Sequence, residues 1–125
     1  MQISSFRDLR VWQKAFALAG QSCVIADSLR RGRRSGLATQ IERAAASIPA
    51  NIAEGNGRSH RGDYLHHLSI ANGSLAELES HLLLAQALEG TDRDRVSATL
   101  ALAREVGRML GGLIRALKAS PRDRP

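Results

Sequence analysis

The side chains able to do chemistry in this 125-residue chain are few, and their spacing decides what they can do. The histidines are His60, His66, His67 and His81. Neighbours on a helix point about 100° apart, so His66 and His67 face different ways. His81 lies too far along the chain to share a metal with His66 unless outside ligands complete the shell. No Glu-x-x-His pair of the di-iron bundle kind occurs. Glu77 and Glu79 stand two apart and diverge, which removes them as a local acid–base pair. Cys23, the single cysteine, has no obvious histidine to serve as its base and no second thiol for an internal disulfide. The glycine pair in Gly55-Asn56-Gly57 lacks the preceding strand and the following Lys-Ser/Thr of a phosphate-cradling loop, so helix termination is enough to explain it. The sequence therefore predicts no catalytic residue, no metal, no cofactor and a non-enzymatic protein.

Arginine is the chemistry that remains. The formal charge is +6 and the sequence pI about 11.0, with Lys14 and Lys118 the only lysines. A guanidinium grips phosphate bidentately, so this surplus suits a polyanion partner, although a GC-rich genome raises arginine in the same way. Three groups are candidate nucleic-acid-binding residues: Arg7, Arg10 and Lys14; Arg30, Arg31, Arg33 and Arg34; and Arg104, Arg108 and Arg115. The second is the densest positive charge in the chain and must be an exposed turn, which as a solvated connector needs no ligand. The third falls within about 40° on one side of a helix. Aromatic residues are only 3%, leaving little to stack bases, so binding should be electrostatic, weakly sequence-specific and steeply salt-dependent.

The elements that position these groups are helical. Hydrophobic residues are 43%, strand formers are scarce and turn signals lie far apart, which predicts one all-α domain over residues 1–125 with an aliphatic core. Helices are expected at about 6–29, 37–56, 60–89 and 92–118, followed by a loose tail at 119–125. Short connections between long helices make this an antiparallel up-down-up-down four-helix bundle. No stretch reaches 18 apolar residues and no signal-peptide core opens the chain; with a single cysteine, this predicts a soluble cytoplasmic protein.

In the first helix, Ser5 caps the start, and Trp12, Ala15, Phe16, Ala19, Cys23 and Ala26 form the expected inward face. The second is the expected centre of the fold. Leu37, Ile41, Ala44, Ile48, Ile52 and Gly55 share one face, Gln40, Arg43, Ser47, Asn51 and Glu54 form a polar ribbon, and Ala46, Ala50 and Ala53 fill the rest, a pattern that predicts contact on most sides. Pro49 either ends this helix near Ser47 or kinks it; the unbroken apolar phase from Ile41 to Ile52 favours the kink. The third helix, capped by Ser59 or a neighbour, buries Tyr64, Leu68, Ala71, Leu75, Leu78 and Leu82, with Asn72 and Glu79 beside that stripe. A carboxylate there needs a partner, with Arg43 and Asn51 or Ser47 the expected ones, unless Glu79 reaches solvent at the edge of the stripe. The fourth starts at Thr91-Asp92-Arg93-Asp94, and its apolar residues cover about half the circumference, more than one bundle seam requires. That surplus predicts contact with another copy of the chain.

Three segments carry a family resemblance: Phe6-Arg-Asp-Leu-Arg-Val-Trp12-Gln-Lys-Ala, Leu37 to Arg58, and Ser69-Ile-Ala-Asn-Gly-Ser-Leu-Ala-Glu-Leu-Glu79. They resemble the four-helix-bundle family encoded in intervening sequences of 23S ribosomal RNA genes, which includes the accessory variability protein of diversity-generating retroelements. The resemblance spans about residues 6–115, and its most specific part is Ser-Ile-Pro-x-Asn-Ile-Ala-Glu-Gly at Ser47 to Gly55. It implies a homopentameric barrel with a basic surface and, for the retroelement members, binding to a reverse transcriptase and to nucleic acid. It implies that the signature serves fold and subunit packing, and it brings no enzymatic motif. Here arginines replace the family's usual lysine-rich surface. The expected function is thus a non-enzymatic, oligomeric, RNA-favouring accessory protein; the alternative is a protein-interaction scaffold whose charge only aids solubility.

Overall fold

The helical periods become four long helices preceded by a 3₁₀ turn, Phe6–Asp8: α1 (Arg10–Arg31), α2 (Ser35–Asn56), α3 (Arg61–Ala87) and α4 (Arg93–Ala119). This computed structural model describes residues 5–119, so most of the tail expected to be loose lies outside the described residues. Ser5 caps the 3₁₀ turn by accepting from the Arg7 N–H, and the extended backbone of Leu9 separates that turn from α1. Asp92 does the same for α4, its Oδ1 accepting from the Arg95 N–H at 3.1 Å. The start of α3 follows His60, which makes no side-chain cap bond; Ser59 does not serve there.

Cross-helix contacts set the directions. Between α2 and α3, Ser47 meets Ser74, Asn51 meets His67 and Asn56 meets Tyr64, so one helix ascends as the other descends. Lys14 and Gln21 of α1 meet Glu105 and Thr99 of α4 in the same reversed order. Gln86 and Arg61 of α3 reach the start and end of α4 through Ser97 and the Leu117 carbonyl. Each helix packs on its neighbours in the chain, and α4 closes the bundle against α1. The result is an antiparallel four-helix bundle, with no strand among the described residues.

One continuous aliphatic core fills the centre, with Leu18, Ile41, Ile48, Ile52, Leu68, Leu78, Leu82 and Leu110 fully buried. Each such side chain contributes roughly 1.5–3 kcal/mol through removal from water. The stripe of α2 from Ile41 through Ile48 to Ile52 is in it, and α2 runs unbroken through a buried Pro49.

Several expectations are corrected. The buried stripe of α1 is Val11, Ala15, Leu18, Ser22, Ile25, Ala26 and Leu29, so Ala15 and Ala26 face inward as expected while Phe16 is 61% exposed and Cys23 exposed. Two things hid it. Trp12, partly buried against the core, stacks on Phe16 at 4.9 Å and meets the edge of Phe6 at 5.1 Å, so Phe16 rests on Trp12 at the surface. Ser22 goes inside because its hydroxyl donates to the Leu18 carbonyl at 2.8 Å. On α4, Leu102, Met109, Leu113, Ile114 and Leu117 pack partly buried against the core, whereas the exposed large apolar side chains are on α1 and α3: Phe16, Val24, Ile70, Leu83 and Leu84. Ala46 and Ala50 are exposed, so α2 is flanked on two sides with its outer face open.

Arg43 and Glu79 form no ion pair among the described residues. Arg43 lies about 160° around the helix from Ile41 and is exposed, and Asn72 is exposed as well. Glu79 is half-buried.

Candidate nucleic-acid interface

The turn between α1 and α2 is a tight hydrogen-bonded closure. The Arg34 N–H donates to the Leu29 carbonyl at 2.8 Å and the Arg33 N–H to the Arg30 carbonyl at 3.0 Å, the pair of bonds that ends a helix through a left-handed residue. That residue is usually glycine; here it is Arg33, at φ 67°. A side chain kept where the backbone disfavours one points to a use for that side chain. Arg31, Arg33 and Arg34 are exposed and make no ion pair among the described residues.

Arg30, placed with them by sequence, is different. Its guanidinium clamps Glu42 of α2 through both terminal nitrogens, Nη1 at 2.6 Å from Oε2 and Nη2 on Oε1, with Asp27 3.7 Å away. The hydrogen bonds from Arg30 hold the Glu42 carboxyl below its ordinary pKa, and the same bonds raise that of Arg30. Arg30 is thus a strut between α1 and α2. Cys23 is next to this pair; burial, then the Glu42 and Asp27 charges, push its thiol pKa up.

Because the bundle is antiparallel, the α3–α4 turn arrives at the same end. The two turns enclose a cleft of about 330 Å³, floored by Ile25, Leu29 and Val96, walled by Val24, and rimmed by Arg31, Arg34, Arg95 and the carboxylates of Glu89 and Asp92. Arg95 is the basic residue that sequence reasoning missed at this end. It lies 65 residues after Arg30 in the chain, yet the up-down topology already requires the first and third turns to be neighbours. Arg95 Nε sits 3.7 Å from Asp92 Oδ2.

The other predicted groups lie elsewhere. Arg7 and Arg10 are at the opposite end of α1, about 30 Å away by the rise of its helix. Arg7 sits over the Phe6 ring at 4.9 Å, Arg10 is exposed, and Lys14 pairs with Glu105 at 3.4 Å. Arg104, Arg108 and Arg115 are exposed along one side of α4, with the Arg115 guanidinium folded back beside Gly111. The ten predicted residues therefore make a loop-end cluster, a far-end cluster and a flank, not one patch.

The α2–α3 seam holds the other polar constellation. The Ser74 hydroxyl donates to Ser47 Oγ at 2.8 Å, Asn51 Nδ2 donates to the Ser47 carbonyl and hydroxyl at 2.9 and 3.0 Å, and Asn51 Oδ1 meets His67 Nδ1 at 3.1 Å. Gly55, expected to help end α2, is instead buried inside it. A Cβ there would stand 2.9 Å from His67 Cβ and from Tyr64 Cδ1, so only glycine lets α3 approach this closely. Ser47, Asn51 and Gly55 thereby join two helices, which leaves no substrate-facing chemistry in them. No group of three or more His, Cys, Asp or Glu is placed to hold a metal among the described residues, and no helix there is long and apolar enough to cross a membrane.

Comparison with known proteins agrees with this architecture. The structure superposes on the crystal structure of a protein of unknown function from the S23 ribosomal protein family of Bacteroides thetaiotaomicron, with 25% identity and a TM-score of 0.79, over 84% of this chain and 98% of that one. No curated protein matches the sequence. The family model for 23S rRNA-intervening sequence proteins matches residues 7–112, which include the Ser47–Gly55 signature whose side chains bind α2 to α3. The chain belongs to the 23S rRNA-intervening sequence protein family.

Proposed function

We propose that this protein is a non-enzymatic, self-associating nucleic-acid-binding protein of the cytoplasm, with RNA as its favoured partner and Arg31, Arg33, Arg34 and Arg95 as its principal phosphate contacts. The observation that carries this reading is the loop-end turn, where Arg33 occupies a left-handed backbone position and three neighbouring guanidiniums make no ion pair among the described residues. Arg7, Arg10, Arg104, Arg108 and Arg115 extend the field along the other surfaces. Arg30 and Lys14, engaged with Glu42 and Glu105, contribute less; the Arg95 side chain is more exposed and meets Asp92 only at 3.7 Å. Self-association is supported by the exposed Phe16, stacked on Trp12, and by the open Ala46 and Ala50 face of α2. By family resemblance the proposed assembly is a homopentamer, with a reverse transcriptase as a further proposed partner.

The experiment is retention of single-stranded RNA by the parent and by a variant carrying Arg31→Gln, Arg33→Gln, Arg34→Gln and Arg95→Gln, with light scattering on both. Lost retention with unchanged assembly supports the proposal, and unchanged retention removes it. A single 13.5 kDa species at micromolar concentration would remove the self-association. The second reading, a scaffold docking another protein, draws on the same exposed aromatic face; it gains if the quadruple variant behaves as the parent and Phe16→Glu does not.

A further inference from the structure

A surface that only tracks phosphates needs charge and no apolar floor. The loop-end cleft has both. Ile25, Leu29 and Val96 are at most 6% exposed beneath it, and Val24, 45% exposed, stands as its wall. Its volume of about 330 Å³ lies at the small end of the range of ligand pockets, the scale of one nucleotide. Guanidiniums at its rim supply what a nucleotide's phosphate needs, and their flat faces stack on bases.

The mouth also carries carboxylates, which a pure phosphate site would avoid. Asp92 is committed to capping α4 and to Arg95. Glu89 has no ion-pair partner among the described residues and lines the opening. A free carboxylate acceptor beside an apolar floor and arginines matches the amino edge of an unpaired base better than it matches another phosphate. A second depression on the α1–α4 side, lined by Gln21, Asp94, Ala98 and Thr99, shares Asp92 and Arg95 with the cleft.

We infer that the loop-end cleft binds one unstacked nucleotide of a single-stranded RNA, its base on the Ile25–Leu29–Val96 floor and its phosphate on Arg31, Arg34 and Arg95. This rests on the RNA-binding reading above. The cleft lies beside Val24, whereas Trp12, Phe16 and Cys23 point about 80–120° away around α1, and the two aromatics lie about 12 Å or more along it. Association through the aromatic face therefore leaves the cleft open.

The test is fluorescence anisotropy with a labelled single-stranded RNA and a duplex of the same sequence, using the parent and two variants. Val24→Trp fills the cleft from an exposed wall without changing charge, and Glu89→Gln removes the free carboxylate at the mouth. The expected result for Val24→Trp is at least about fivefold weaker single-strand binding, what losing about 40 Å² of buried apolar contact costs, with duplex binding unchanged and a parent-like melting curve. For Glu89→Gln, the expected result is a smaller loss confined to the single strand, despite the gain in positive charge. Equal weakening of strand and duplex would make the cleft part of a phosphate track and overturn the inference. Unchanged single-strand binding in both variants would overturn it and leave the RNA-binding reading standing. A parent that binds neither RNA at low salt sinks that reading and this inference together. Displacement of the strand by micromolar 5′-AMP would assign the cleft to free mononucleotides and so overturn the claim for a strand.

Discussion

The α2–α3 seam and the loop end of the bundle use polar residues in opposite ways. In the seam, Ser47, Asn51, Ser74 and His67 satisfy one another, and Gly55 removes the last obstacle to close packing. At the loop end, Arg31, Arg33 and Arg34 make no ion pair among the described residues, and one of them holds the backbone where glycine would be at ease. The seam is resolved within the molecule; the loop end is not. The most recognisable part of the sequence therefore explains the fold, and the plainest part, a run of arginines, is where the proposed partner would bind.

The largest expected effect comes from breaking the seam. In an open helix, Gly55→Ala would stabilise by about 1 kcal/mol through helix propensity. Here the new methyl meets Cβ of His67 and the ring of Tyr64 at 2.9 Å, so the sign reverses and urea denaturation should show a net loss of about 2 kcal/mol. A gain in stability would mean that α2 and α3 are not this close. Next is Ser47→Ala, which strips partners from Ser74 and Asn51 and should lower stability by about 1 kcal/mol while leaving RNA affinity alone. A loss of RNA binding with parent stability would move the seam into the functional surface.

Arg33→Gly sharpens the comparison, because its two readouts should move in opposite directions. Relief of the left-handed backbone outweighs the added chain entropy of glycine, giving a more stable protein by about 0.5–1 kcal/mol, while single-stranded RNA binds more weakly. Stability and affinity falling together would place Arg33 among structural residues.

The smallest effect is acid-dependent. Hydrogen bonds from Arg30 depress the pKa of Glu42, so the pair's stabilisation is present above the unfolded carboxylate range, about 4.3, and is lost as pH falls through the lower folded value. The stability gap between parent and Glu42→Gln should therefore narrow below about pH 4. A gap constant down to pH 2 would show that the clamp does not act through charge.

How far these features could be read from sequence depended on what sets them. The stripe of α2 was legible because Ile41, Ile48 and Ile52 keep helical phase, which Pro49 does not disturb. The face of α1 was legible only in part: Ala15 and Ala26 are buried and Trp12 and Ala19 border the core, but Phe16 rests on Trp12 at the surface, while Ser22 is admitted by a bond to its own helix. The Arg43–Glu79 pairing failed on about 60° of helix: Ser47 and Asn51 border the core, and Arg43 lies past them. In the candidate site, Arg31, Arg33 and Arg34 stood out as a charge run, but the Arg30–Glu42 clamp depends on side-chain reach across the turn. Arg95 is brought in by topology alone.

The central claim, that exposed arginines bind a single-stranded polyanion through its phosphates, is tested most directly by the salt dependence of RNA affinity. With three or more phosphates neutralised at the loop end, the logarithm of the association constant should fall against the logarithm of salt concentration with a slope of about −2 or steeper. A slope near zero would contradict it.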